Sequence, residues 1–111
     1  MNDRINIDEF KRVDIRIGKI LEVEVVPDAD KLLKLTVDLG EEEPRTIVSG
    51  IREYFPDGEG LVGRKCPFVA NLEPRKIRGL ESNGMILAVA SEGEFSLFEV
   101  GKQIPAGTRA S

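Results

Sequence analysis

The chain has no histidine and no tryptophan, a single cysteine, and aromatic residues at only 5% of its 111 positions. Without histidine, the commonest general base and the commonest metal ligand are both missing. Cys66 has no partner for an intrachain disulfide, which fits a reducing compartment such as the cytoplasm, and no histidine to activate it as a nucleophile. The acidic run Glu41-Glu42-Glu43 lacks the spaced oxygen ligands of a calcium loop and reads as a solvated hairpin. Neither a metal nor a cofactor is expected. The longest wholly apolar run, Met85 to Ala90, falls far short of the roughly 20 residues that span a bilayer. No charged stretch followed by an apolar one marks a secretory signal at the start. Gly58 to Gly63 matches G-x-G-x-x-G letter for letter, but it follows a proline and leads into a strand, so it reads as a flexible connection. Arg64-Lys65 stand where a phosphate-binding loop would need Lys-Ser or Lys-Thr, which excludes that reading too.

What is present is alternation. From Val13 to Val25 the odd positions are Val13, Ile15, Ile17, Lys19, Leu21, Val23 and Val25, a period-2 pattern that predicts a long strand with that face buried. Gly18 within it predicts a bend or bulge. Leu33, Leu35, Val37 and Leu39 mark a second strand, and Arg45 to Ser49 a third. Asn6-Ile7-Asp8-Glu9 has the form of a capping box opening a helix of about one turn. A second short helix is predicted over Ile51 to Phe55, capped by Ser49 and stopped by Pro56. A fourth strand is expected at about Lys65 to Ala70, a fifth at Met85 to Ala90 and a further one at Phe95 to Val100. Three meandering strands, a short helix and two more strands is the order of an OB-fold, an all-β, five-stranded, partly open Greek-key barrel. The whole chain, 1–111, reads as one domain.

The charge is uneven. The net value is −4, yet the window Arg64 to Arg78 holds Arg64, Lys65, Arg75, Lys76 and Arg78 against Glu73 alone, so it carries +4 and the remainder −8. A basic patch on an acidic body binds phosphates at one place and repels them elsewhere. Most of that charge lies in residues 71–84, read as a long loop held between two strands, and long anchored loops are usually binding elements. In an OB-fold this loop and residues 26–32 flank the ligand face. Lys76 and Arg78 are the foremost phosphate candidates, with Arg75 adjacent and Lys31 brought near by the barrel. Asn71 either contacts a ligand or caps its own turn; Ser82 either bonds a phosphate or 2′-hydroxyl or its own backbone; Met85 is either core or an apolar contact. Neither flanking loop contains an aromatic residue. Stacking-led capture of single strands is therefore disfavoured against recognition of a structured RNA by phosphates, 2′-hydroxyls and shape.

Three stretches carry a family resemblance: Asp30-Lys31-Leu32-Leu33-Lys34-Leu35, Val48-Ser49-Gly50-Ile51-Arg52, and Asn71 through Gly79 with Ser82, Gly84 and Met85. Together they resemble the tRNA-binding domain family, closest to the C-terminal domain or separate β subunit of methionyl-tRNA synthetases. The resemblance runs over about 7–90 and less distinctly to Gly107. It implies an OB-fold that binds tRNA by its elbow and shape, with RNA contacts at Lys31, Asn71, Lys76, Arg78, Ser82 and Met85. It also implies a homodimer whose interface uses about 91–108, and a non-catalytic role beside the catalytic part of the synthetase, in cis or in trans. Val26 departs from the histidine that many members carry there. A competing expectation on the same fold is a secretion-chaperone-like dimer whose groove binds peptide.

Overall fold

A computed structural model describes residues 1–110. The elements are α1 (Ile7–Phe10), β1 (Ile15–Val25), β2 (Leu33–Asp38), β3 (Arg45–Ser49), β4 (Lys65–Val69), β5 (Arg75–Ile77), β6 (Leu80–Ser82), β7 (Met85–Ile86), β8 (Ala88–Ser91) and β9 (Glu94–Leu97). The capping box of α1 forms as the sequence predicts: Asn6 Oδ1 accepts the Glu9 N–H, and Glu9 Oε1 accepts the Asn6 N–H. Five antiparallel strands run in the order β3-β2-β1-β4-β7. The sheet curls until β3 meets the far edge, where the Val48 N–H donates to Ser82 Oγ at 2.9 Å and the Asn83 N–H to the Thr46 carbonyl at 2.9 Å. The result is a nearly closed OB-type barrel, as expected from the element order.

Leu33, Leu35, Val37 and Leu39 fill the barrel at 0–5% exposure, joined by Ile20, Ile47, Leu61, Cys66 and Phe68. Gly18 lies inside it: a Cβ there would stand 2.6 to 2.9 Å from Val37, Phe68 and Leu39. Its role is thus close packing, and the bulge predicted at Gly18 falls instead between Ile20 and Glu22. That extra residue reverses which face turns inward, so the odd-position face is not buried throughout. Ile20 is buried, Val23 half-buried, and Leu21, Val25 and Val13 are exposed.

Three further expectations change. Ile51 to Phe55 makes one hydrogen-bonded turn, with the Phe55 N–H donating to Ile51 and Arg52 carbonyls, and no regular helix. Pro56 supplies no N–H to continue it. The fifth strand stops at Ile86; Ala88–Ser91 leaves the barrel to pair with β9, which itself ends at Leu97. The 71–84 segment is a folded β-hairpin, not an open loop. The tail then straps the edge of β1 that β2 leaves free: Gly107 N–H donates to Ile17 O, Ile17 N–H to Thr108 O, and Ala110 N–H to Ile15 O, at 2.7 to 2.9 Å.

Candidate nucleic-acid interface

The hairpin β5–β6 has a fixed register, pairing Arg75 with Ser82, Lys76 with Glu81 and Ile77 with Leu80. Its two-residue turn is Arg78-Gly79, both at positive φ (52° and 80°), as a type I′ turn requires. Ile77 and Leu80 are half-buried at the turn's base, while Arg75, Lys76 and Arg78 are exposed. Among the described residues none of these three cations pairs with a carboxylate. Three exposed positive groups are therefore held on a short, register-locked element outside any direct ion pair, with Glu81 opposite Lys76 across the hairpin.

The base of this element is pinned at two points. Asn71 Oδ1 accepts the Asp14 N–H at 2.8 Å, and Asn71 Nδ2 donates to the Arg12 carbonyl. Ser82 is 4% exposed; its hydroxyl accepts the Val48 N–H and lies 3.5 Å from the Gly84 carbonyl. Both side chains spend polar atoms on distant backbone of the scaffold, a duty that neither of the alternatives read from the sequence named. Asn71 ties the hairpin to the start of β1, and Ser82 ties it to β3. Gly84, at φ 136°, adopts a conformation that side chains rarely take, and a Cβ there would press on Ile47 and the Val69 carbonyl at 3.1 and 3.2 Å.

Lys31 is exposed in the loop before β2, and its carbonyl accepts the Arg52 N–H. β2 begins at Leu33 opposite Ser49, the residue after Val48, so Lys31 lies toward the Ser82 side of the hairpin, while Asn71 ties its other side to the start of β1. Strand registers also set a row across the outer face: Glu24 opposite Lys34, Lys34 opposite Val48, and Val48 bonded to Ser82. Neighbouring strands lie about 4.8 Å apart, so Lys34 stands on the order of 10 Å from the hairpin. Lys34 lies on the polar face of β2, a position that the strand's alternation and the neighbouring Lys31 already mark in the sequence. Met85 is 46% exposed and so is no core residue; Leu72, a large apolar side chain in a polar stretch, is 45% exposed beside it.

Two ion-pair clusters lie at the Ala70–Asn71 foot of the hairpin, at the opposite end of the β2–β3 ladder from Lys31. Arg45 grips Glu41 with two bonds of 2.8 Å and donates from Nη1 to the Ala70 carbonyl at 2.6 Å. The Arg45 hydrogen bonds hold the Glu41 carboxyl below its ordinary range, against the opposing effect of desolvation. Asp14 accepts from Arg16 at 2.7 Å and faces Arg109 of the tail strap at 3.5 Å, and the Arg16 bond likewise lowers its pKa. Cys66 is fully buried and its thiol is pushed up to about 11, first by burial, so it is not poised as a nucleophile. Among the described residues no group of three or more metal-ligating side chains occurs, and no helix is long and apolar enough to cross a membrane.

A family model described as a putative tRNA binding domain matches residues 15–109. A methionine--tRNA ligase of Deinococcus radiodurans is 51% identical over 106 residues, covering 95% of this chain and 15% of that protein. The chain spans less than a fifth of the length of the curated relatives it matches. Among solved structures, a MetRS related protein from Pyrococcus horikoshii superposes with a TM-score of 0.91 at 38% identity, covering 99% of this chain and all of that one. The chaperone CsaA from Bacillus anthracis superposes with a TM-score of 0.85 at 25% identity, covering 98% and 100%.

Proposed function

The chain belongs to the family of putative tRNA binding domains, and from that premise we propose that it is a non-catalytic module for folded tRNA. The observation that carries this reading is the β5–β6 hairpin, three exposed cations free of direct ion pairs on an otherwise acidic body. Phosphate contacts from Arg75, Lys76, Arg78 and Lys31 supply affinity and fix orientation without reading sequence. The absence of aromatic residues beside the hairpin favours a structured ligand over a single strand. Asn71, Ser82 and Met85 complete the proposed site, the first two chiefly by holding the hairpin in place. Its relatives are regions of methionine--tRNA ligases, so the module raises the tRNA affinity of such a synthetase, in cis or in trans, in the cytoplasm.

The same reading makes the chain a homodimer through its C-terminal segment. β8 and β9 form a two-stranded sheet outside the barrel, with Val89 and the following Phe98 about half exposed. Such a hairpin is marginal by itself. Phe95 anchors one side by stacking on Tyr54 at 4.0 Å, and a second copy covers the remaining apolar surface.

The test is binding of folded tRNA across a salt series, with a single-stranded RNA of equal length as control. Four neutralised phosphates give a slope of log affinity against log salt of roughly −3. Lys76→Ala/Arg78→Ala should flatten that slope by about 2. A flat response, or equal affinity for the single strand, would reject the reading. A chaperone-like reading has one observation in its favour: Ile7, Phe10, Val13 and Ala110 line an apolar groove of about 260 Å³ beside α1. Suppression of client aggregation without tRNA binding would favour it.

A further inference from the structure

Beyond the last pair of the β4–β7 ladder, Val69 with Met85, the chain leaves the barrel at Ala70 and returns at Asn83, with the β5–β6 hairpin between. The pins already described each hold one of these feet. Asn71 ties the first to β1, and Ser82 and the Asn83 N–H tie the second to β3. Arg45, the first residue of β3, reaches both. Its Nη1 donates to the Ala70 carbonyl at 2.6 Å and lies 3.5 Å from the Asn83 carbonyl. Nε and Nη2 donate to the two carboxylate oxygens of Glu41, each at 2.8 Å, so the guanidinium plane is fixed. Glu41 is in turn held by its own turn. The Gly40 N–H donates to Asp38 Oδ1 at 2.8 Å, and Gly40 packs so closely on the tail that a Cβ there would stand 2.8 Å from the Ala106 carbonyl.

We propose that Arg45, oriented by Glu41, is a positioning residue that fixes the angle at which the hairpin presents Arg75, Lys76 and Arg78 to tRNA. The proposal rests on the tRNA reading above and deepens it. A hairpin with three-residue strands is marginal by itself, so its direction depends on what grips its feet. With both feet against one guanidinium, the three cations move with the barrel as one body. Without that tie the hairpin hinges at Ala70 and Asn83, and binding must order it before the phosphates are met. Arg45 is not itself free for a phosphate: its side chain is 20% exposed and all three of its nitrogens are engaged. A lysine, with a single nitrogen, could not span Glu41 and the two feet at once. The Glu41 carboxylate makes the proposal sharp. By charge alone it repels RNA, whereas as the holder of Arg45 it promotes binding, so the two views give opposite signs for its removal.

The experiment uses the full chain and a folded tRNA, comparing Glu41→Gln, Arg45→Met and the double variant over the same salt series, well below the melting temperature of each. Bare electrostatics would have Glu41→Gln bind more tightly at low salt. Positioning requires it to bind more weakly, by roughly threefold. Arg45→Met is expected to weaken binding roughly tenfold, with the slope unchanged because the same phosphates are finally neutralised. The double variant should match Arg45→Met, since Glu41 acts through Arg45. Without RNA, backbone NMR order parameters of β5 and β6 should drop in both single variants, from roughly 0.85 toward roughly 0.6, while those of β1 and β2 hold. Glu41→Gln binding as tightly as the parent, or more tightly, overturns the proposal, as does a hairpin that stays rigid in Arg45→Met. A slope reduced by about 1 in Arg45→Met would make Arg45 a phosphate contact and overturns it too. In each of these cases the tRNA reading stands. If the parent chain binds no tRNA, both fall.

Discussion

Arg78 occupies a backbone conformation that L side chains adopt reluctantly, at φ 52° in the first position of its turn. Asparagine or glycine fits such a turn better. Arg78→Asn should therefore raise thermal stability, by up to about 1 kcal/mol. It should also lower tRNA affinity and reduce the salt slope by about 1. Calorimetry and a binding titration on the same preparation would check both. A variant that loses stability together with affinity would mean that the guanidinium is structural. Ser82 presents the opposite case, a polar side chain whose work is internal. Removing its hydroxyl leaves the buried Val48 N–H without a partner, so Ser82→Ala should cost about 1–3 kcal/mol in urea unfolding. The salt slope should stay as it was, since no phosphate contact is lost. The cations of this site were legible in the sequence because charge is a property of single residues. The duties of Asn71 and Ser82 were not, because their partners, Arg12, Asp14 and Val48, lie 34 to 59 residues away.

At the scale of elements, β2 was readable to within one residue, ending at Asp38, because Leu33, Leu35, Val37 and Leu39 keep one face inward along their whole length. β1 was readable only in extent. It serves three partners in turn (the tail strap, β4 and β2), and a strand shared this way needs a bulge to redirect its faces. The hairpin within 71–84 escaped detection because Arg-Gly replaces the usual Asn-Gly or Asp-Gly signal, and because its strands are three residues each. Ala88 to Ala90 read as a continuation of the fifth strand, since a short apolar run carries no mark of where its hydrogen-bonding partner changes. The strap itself makes a prediction. Asp14 joins it to β1 through Arg109 and Arg16, and its carboxyl is held below the ordinary value of about 4 by the bond to Arg16. A carboxyl with a depressed folded-state pKa contributes stability that is complete above its unfolded value and is lost as pH falls through the folded one. The protection factors of the Ala110 and Ile17 amides, taken relative to the intrinsic exchange rate at each pH, should therefore fall on acidification below about pH 4. Asp14→Asn should show that lower protection already at neutral pH, with no further fall in acid.

Over the whole molecule, the net charge of −4 conceals a division of labour. Acidic residues outnumber basic ones outside the Arg64–Arg78 window and discourage indiscriminate phosphate binding, while the hairpin end of the barrel presents three exposed cations. Doubling the chain through β8–β9 would double that end as well, so dimerisation and tRNA affinity should be coupled. Val89→Asp, placed on the exposed strand β8, should give a monomer in analytical ultracentrifugation, with tRNA affinity reduced and the barrel's thermal transition nearly unchanged. A monomeric parent chain would remove the dimer from the proposal and leave the hairpin's role intact. The tail strap has a mechanical consequence. The Arg109 guanidinium donates to the Lys11 carbonyl, so the chain enters and leaves the barrel at one place. A tension applied across those two points loads the strap from its Ala110–Ile15 end, and its hydrogen bonds must break one after another rather than together. The strap would peel at low force as a fuse, and the barrel would bear load only after it had gone.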